Sequence, residues 1–347
     1  MEKTYYTKKL SIIVPVYNMC EGGKLDFCLR SLLAQTVKDF EIIAVDDAST
    51  DHSFACLKKY EQEYPGIVRA FTTGENLRQG GAKNLGLRVA TGEWVGFVDA
   101  DDFVSCSMYE KLLAKATDTG ADCVGCFYSL VHEQSFTPGT IDVNNPPDQT
   151  GLLDETKYKS LLLNPGSMVV KIYKRDMILN NKLFFPEHVF YEDNCMSPIW
   201  MLHCTHFEQV TEPLYFYYQN DTSTVHTITL ERCMDRCTVM NLFLDQARNL
   251  EYDKLYPKEI EYKYTELYFI NTLFSLLYGR VKGRTSLIKK MRTEMLMRFP
   301  AFEQNKYYIK RTDPEQKKLI HMLMESPFRF RLFFRLLTLY RKWRYGK

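Results

Sequence analysis

The segment Trp94-Val95-Gly96-Phe97-Val98 is apolar, rich in β-branched and aromatic side chains, and breaks off into Asp99-Ala100-Asp101-Asp102. Such a run reads as a buried strand that delivers three carboxylates within four positions to its carboxyl end. Three acids at one strand mouth repel one another, and the simplest remedy is a divalent cation held by hard oxygen ligands. Mg²⁺ and Mn²⁺ keep open positions in such sites and fill them with phosphate oxygens, so the cluster is a candidate nucleotide-diphosphate site. A solvated acidic turn is the alternative that the cluster alone leaves open.

The same arrangement recurs upstream. Leu10 to Asn18 reads as a buried strand whose exit is marked by Pro15. Leu25, Cys28, Leu29, Leu32 and Leu33 come next at helical spacing, and Phe40 to Val45 forms a second strand that ends in Asp46-Asp47. Ala48-Ser49-Thr50-Asp51 supplies capping residues for a helix that runs to about Tyr64. A third strand, Ile67 to Thr72, leads into a loop, Asn76 to Asn84, that carries Gly80, Gly81 and the cations Arg78 and Lys83 where a helix opens. A helix amino end with glycines and positive charge suits a phosphate, while a glycine turn with exposed cations is the plainer reading. Strands and helices alternate, which predicts an α/β fold with a largely parallel, doubly wound sheet. The carboxyl ends of such strands share one edge, where Asp47, Asp101 and the Arg78 loop are expected to converge.

Beyond a helix near Met108 to Thr117 and a strand from Ala121 to Val131, residues 132–150 turn polar and proline-bearing, as a surface loop and soft boundary do. Met168 to Tyr173 is strand-like. A second acid pair, Glu192-Asp193, precedes an apolar helix from Cys195 to about His203, where it would serve at least as a cap that complements the helix dipole. Leu214 to Tyr218 is an aromatic strand, and a polar loop then ends in His226. The pattern from Leu230 onward is helical. The expected organisation is a domain over 1–226, with a nucleotide half at about 8–131 and an acceptor half at about 151–226, and a helical region over 227–347.

A chain of 347 residues with a net charge of +2 has room for about two domains and is too balanced for a nucleic-acid binder. Its ten cysteines are scattered. In a strand, Cys123 and Cys126 face opposite sides and do not make half of a zinc site. With no leader ahead of the cysteines, a reducing cytoplasm is expected. No apolar stretch is long enough to span a bilayer. The end of the chain, from Ser326, has no acid and interleaves Phe, Leu and Trp with Arg. Two readings stand, an amphipathic helix on an anionic membrane surface and a docked helix with a solvated basic face.

Taken in order, Ile13-Val14-Pro15-Val16-Tyr17-Asn18, Val45-Asp46-Asp47-Ala48-Ser49-Thr50-Asp51, Ala82-Lys83-Asn84 with Gly86 and Gly92, Phe97-Val98-Asp99-Ala100-Asp101-Asp102 and Glu192-Asp193 resemble the family 2 glycosyltransferases of GT-A fold. The likeness covers about residues 8 to 226. It implies an inverting transfer of a sugar from a nucleoside diphosphate, most often a uridine one, to a hydroxyl of a glycan or lipid-linked glycan. By the same resemblance, Pro15 and Tyr17 line the base pocket, with Tyr17 stacking on uracil, and Asp47 accepts from the uracil ring N–H. Arg78 and Lys83 lie near the nucleotide and its phosphates. Many relatives carry arginine at the Lys83 position, and lysine keeps the charge but loses the planar fork. Asp99 and Ala100 belong to the donor site, with Asp99 reaching ribose or metal. Asp101 is the principal ligand of Mn²⁺ or Mg²⁺, His226 approaches the metal or diphosphate, and Asp193 is the general base. Family habit and the basic end, 326–347, imply surface-polysaccharide assembly in the cytoplasm, peripheral at the inner face of the cell membrane.

The residues support that chemistry on their own. Displacement at an anomeric carbon needs a base for the incoming hydroxyl and positive charge behind the departing diphosphate. Two rivals are a sugar nucleotidyltransferase and an inactive glycan-binding or scaffold relative. The former usually needs a glycine-rich loop after the first strand, where this chain has Val16-Tyr17-Asn18-Met19-Cys20-Glu21. The latter sits poorly with a full set of acids.

Overall fold

A computed structural model describes residues 6–219, 228–279 and 281–345. The chain divides into two compact units, 1–227 and 228–347. In the first, β1 (Lys8–Val16), β2 (Phe40–Asp46), β3 (Val68–Thr72) and β4 (Gly92–Phe97) lie parallel in the order β3-β2-β1-β4. The helices α1 (Lys24–Leu33), α2 (Ser53–Glu63) and α3 (Arg78–Val89) return the chain between them. Leu10, Ile12, Ile13, Val14 and Val16 are at most 1% exposed. Such a run has no polar face because both sides of the sheet are covered. Pro15 stays within β1, opposite Val45, rather than ending it. Pairing with β4 stops at Ile13, so the missing N–H breaks no ladder bond.

The rest of the unit comprises β5 (Phe103–Val104), α4 (Met108–Thr119), β6 (Cys123–Val131), β7 (Thr140–Asp142), β8 (Gly151–Leu152), α5 (Glu155–Leu163), β9 (Lys171–Lys174), α6 (Arg175–Asn180), α7 (Glu192–His203) and β10 (His206–Tyr218). One mixed sheet runs β3-β2-β1-β4-β9-β6-β10-β5, with β7 on β6 and β8 on β10. The long strands pair mostly in parallel, as expected, and β9 is antiparallel to both β4 and β6. Residues 132–150 do not part the unit either. β7 pairs with β6, and Asn145 and Gln149 are buried and bonded to each other at 2.7 Å.

Two local expectations are corrected. Gly80 and Gly81 lie inside α3, which begins at Arg78, and not in a loop. A Cβ on Gly80 would stand 2.1 Å from the Pro186 carbonyl oxygen, so glycine is there to let the 185–186 segment pack against the helix. Asp51 does not cap α2 as its preceding residue, a place held by His52 without a side-chain bond. It accepts instead from the Ser53 and Cys20 N–H groups at 2.9 and 3.0 Å, tying the segment after β1 to the segment after β2.

The second unit is helical: α8 (Leu230–Asn249), α9 (Tyr252–Leu255), α10 (Pro257–Tyr264), α11 (Thr272–Tyr278), α12 (Arg284–Arg298), α13 (Lys306–Arg311), α14 (Pro314–Glu325) and α15 (Pro327–Tyr345). A π-helical stretch, Thr265–Asn271, joins α10 to α11. Phe243, Tyr264, Tyr268, Phe269, Leu273 and Met291 form its buried centre. Among the described residues no helix is long and apolar enough to cross a membrane.

Gly80→Ala is expected to lower stability by about 2 kcal/mol, the cost of forcing a methyl into a packed contact. An unchanged urea midpoint would show that the Pro186 segment yields freely.

Candidate active site

β1, β2 and β4 end side by side, and the segments that leave them build a common rim. Tyr17 leaves β1 with 44% of its surface exposed. Asn18, in left-handed backbone, donates its N–H to Ser49 Oγ at 2.9 Å, and its Oδ1 accepts from Thr50 N at 2.8 Å. Ala48, at φ 55°, is strained in a conformation that non-glycine residues avoid. Asp47 is 3% exposed, and its Oδ1 accepts from Leu77 N at 2.8 Å and Thr73 Oγ1 at 3.1 Å. Burial raises its carboxyl above the ordinary value, and these bonds together with Arg78 pull it back. The Arg78 guanidinium stacks on Phe190, 4.2 Å from the ring centre. Pro15 and Ala100 are buried at the bases of their strand ends.

The three acids after β4 are not equivalent. Asp102 is 2% exposed and accepts from the Tyr215 hydroxyl at 2.6 Å and from Tyr218 N at 2.8 Å. It fastens the acidic turn to β10 and is not a cation ligand, which corrects the expectation of three carboxylates awaiting one ion. Asp99 has a buried Oδ1 with no hydrogen-bond partner. Its carboxyl is pushed up from 3.8 to about 6, first by burial. Lys83 opposes that rise, whereas Asp101, Glu192 and Asp193 add to it. Asp101 is raised by burial, with Lys24 lowering it.

The other wall is α3 against α7. Lys83 and Glu192 pair at 2.7 Å with side chains only 3% and 6% exposed. Asn84 clamps the segment that leads to α7: its amide donates to Phe185 O at 2.9 Å and its Oδ1 accepts from Phe185 N at 2.9 Å. Tyr191, at φ 69°, turns the chain so that Glu192 and Asp193 occupy the first turn of α7. Asp193 is exposed at the rim. The surrounding protein raises its carboxyl, Glu192 adds to that, and Lys83 pulls it back.

Asp99, Asp101, Lys83 and Asp193 therefore share one electrostatic neighbourhood, and Asp47 and Arg78 lie along the same rim through α3. Lys83 is committed to Glu192 rather than standing free. Glu192, read from the sequence as a cap, is the partner of that buried cation. Asp46, with a buried Oδ1 lacking a partner, is hidden in the sequence beside Asp47. His226 lies outside the described residues. Among the described residues no three His, Cys, Asp or Glu side chains are gathered to hold a metal ion. The pair Asp99 and Asp101, with one orphaned buried oxygen, nonetheless fits a Mg²⁺-type site, which takes one or two carboxylates and completes itself with phosphate and water.

Because Asp99 holds its proton up to about pH 6 in the fold but only to about 3.8 unfolded, the folded protein binds more protons across that window. Stability is thus lost as pH rises through it. Asp99→Asn is expected to raise the melting temperature by a few degrees at about pH 7.5 and by nothing at about pH 4. An equal gain at both pH values, read by calorimetry, would remove the ionisation argument.

The family described as Glycosyl transferase family 2 matches residues 11–170. The uncharacterized glycosyltransferase YibD of Escherichia coli K12 is 30% identical over 261 residues, 73% of this chain and 69% of that protein. TarP of Staphylococcus aureus N315, a poly(ribitol-phosphate) beta-N-acetylglucosaminyltransferase, is 25% identical over 231 residues, 65% of this chain and 67% of its own. Among solved structures, S. aureus TarS 1–349 in complex with UDP-GlcNAc superposes with a TM-score of 0.69 at 18% identity, covering 98% of this chain and 93% of that one. That last likeness is one of fold, and the sequence likenesses carry the family. The chain belongs to glycosyl transferase family 2 and is a glycosyltransferase of GT-A fold.

Proposed function

We propose that the chain is a metal-dependent, inverting glycosyltransferase. It moves a sugar from a uridine diphosphate donor to a hydroxyl of a glycan or lipid-linked glycan, in the making of a surface polysaccharide. The observation that carries this reading is the buried, partnerless Asp99 oxygen set among Asp101, Lys83 and Asp193. Tyr17 offers an open ring to the base, with Pro15 beside it and Asp47 accepting from the base's N–H. Arg78 and the turn at Asp99-Ala100 hold ribose and diphosphate. Asp101 and Asp99, with His226, would hold Mn²⁺ or Mg²⁺, which when bound neutralises the diphosphate as it leaves. Asp193 takes the acceptor's proton from the face opposite the leaving group. Lys83 positions that base by holding Glu192, its neighbour on α7. The uridine donor is supported by TarS having been solved with UDP-GlcNAc, and the polysaccharide role by the name of TarP.

Peripheral attachment to an anionic membrane belongs to the same proposal. On α15, Phe330 is 3% exposed and stacks on Phe334, which is the inward face. Phe328, Leu332, Leu336 and Leu339 recur on the opposite face and are exposed, Phe328 by 72%. Arg329, Arg331 and Arg335 are exposed beside them, and no acid comes after Glu325. An apolar stripe edged by arginines suits the boundary between acyl chains and anionic headgroups.

Asp101→Asn is expected to abolish the thermal shift given by UDP with Mn²⁺. Asp193→Asn is expected to keep that shift and to lose turnover by roughly 100-fold or more, as removal of a general base does. Full transfer by Asp193→Asn, measured as UDP release, would refute the base. The protein should float with phosphatidylglycerol vesicles and not with phosphatidylcholine ones. The Leu332→Glu/Leu336→Glu variant should stay at the bottom of the gradient, and equal flotation of variant and wild type would dismiss the membrane face.

A further inference from the structure

A cavity of about 300 Å³ opens along β6 and β10. It is lined by Tyr128 and Leu130 of β6, by Tyr215, Tyr217 and Gln219 along and just beyond β10, and by the stretch from Ser167 to Val170. Tyr215 pairs in register with Tyr128 and Tyr217 with Leu130, so period-2 alternation puts these side chains on one face of the sheet. Two walls lead directly to residues of the rim. The Tyr215 hydroxyl donates to Asp102 at 2.6 Å and accepts from Asp99 N at 3.3 Å. Ser197, one turn beyond Asp193 on α7, donates to the Gly166 carbonyl at 3.4 Å. Hydrogen bonds thus tie one wall to the acidic turn, and the segment that leads into another wall to the helix that carries Asp193.

Its third wall is pinned from beneath. Lys171 is fully buried, and its ammonium is spent on two backbone carbonyls, Pro165 O at 3.0 Å and Ser167 O at 2.7 Å. Asn144 Oδ1 accepts from Ser167 N at 2.7 Å, and Asn145 donates to Pro165 O at 3.3 Å. Burying a lysine is costly, and here the cost fixes the position of one short segment. The lining chemistry is selective. Tyr128 and Tyr217, with ring centres 6.4 Å apart and planes at 58°, offer aromatic faces. Gln219 and Ser167 offer neutral hydrogen bonds. None of the described lining residues is a cation, and two of the tyrosines are bonded to carboxylates, Tyr128 to Asp142 and Tyr215 to Asp102.

Resting on the glycosyltransferase reading, we infer that this cavity is the acceptor subsite and that it takes an uncharged pyranose ring rather than a polyol phosphate. The C–H faces of a pyranose suit the tyrosine rings, and its hydroxyls suit the amide and hydroxyl groups. A phosphodiester would find no cation among the described lining residues to pair with, because the Lys171 ammonium behind the wall is spent on Pro165 O and Ser167 O. The poly(ribitol-phosphate) specificity in the name of TarP is therefore not carried over to this chain.

Saturation-transfer NMR on the whole protein tests this, with and without UDP, using methyl β-glucopyranoside, methyl β-galactopyranoside, methyl β-N-acetylglucosaminide and ribitol 5-phosphate as probes. At least one pyranoside should bind, and Tyr217→Ala should weaken it by about tenfold, with Tyr217→Phe weakening it less. The UDP-induced thermal shift in the same variants reports that they are folded. Three results would overturn the inference: no pyranoside binding, binding unaltered in both Tyr217→Ala and Gln219→Ala, or ribitol 5-phosphate binding in preference to every pyranoside. Loss of the UDP shift in the wild type would strike the donor reading instead, and the probe measurements made without UDP would still decide this one.

Discussion

The buried pair of Lys83 and Glu192 is the interaction on which the site depends. It joins α3, whose first residue stacks on Phe190 and faces Asp47, to α7, whose first turn carries Asp193. Two ions at 2.7 Å with almost no solvent stabilise each other only while both are present. Deleting either leaves an unpaired buried charge, at a cost of about 3–5 kcal/mol. The pair also sets the electrostatics of the acids around it. Lys83 holds down both Asp99 and Asp193, and Glu192 pushes both up. The acid after β4 and the acid that opens α7 are thereby tuned by one contact.

Strained backbone recurs at the same rim. Asn18, Ala48, Arg78 and Tyr191 have positive φ without being glycine, and each stands where an element ends or begins at the rim. Such backbone persists only when its surroundings over-determine it. Here the surroundings are visible: Asn18 bonded to the segment after β2, Arg78 stacked on Phe190, and the approach to Tyr191 clamped by Asn84. The rim is a preorganised surface whose loops are tied to one another.

Much of this was legible in the chain. Apolar runs that end abruptly in acids can be little else than buried strands with a polar mouth, so β1, β2 and β4 and the placing of Asp47 and Asp99 to Asp102 followed from composition and order. What was not legible depends on partners far off in sequence. Asp102 looks like its neighbours until Tyr215 and Tyr218 claim it. Gly80 and Gly81 look like a flexible loop until Pro186 is seen against the helix. β9 has only four residues, too few to show a direction, and its antiparallel course could not be read. The cavity beside β10 is equally invisible, because its walls come from three separate stretches, one of them held from behind by the buried Lys171.

The fastening of Asp102 to Tyr215 has a consequence for when the enzyme becomes competent. The two residues are 113 positions apart, and β10 is the last strand among the described residues of the first unit. On a ribosome the acidic turn is made long before its anchor emerges, and a chain grows from its amino end. Until β10 threads into the sheet beside β6, the turn lacks the bonds that fix its shape. A nascent chain therefore has its aspartates early and the anchor that shapes their turn only late, so the acidic turn takes its final form near the end of the unit's synthesis.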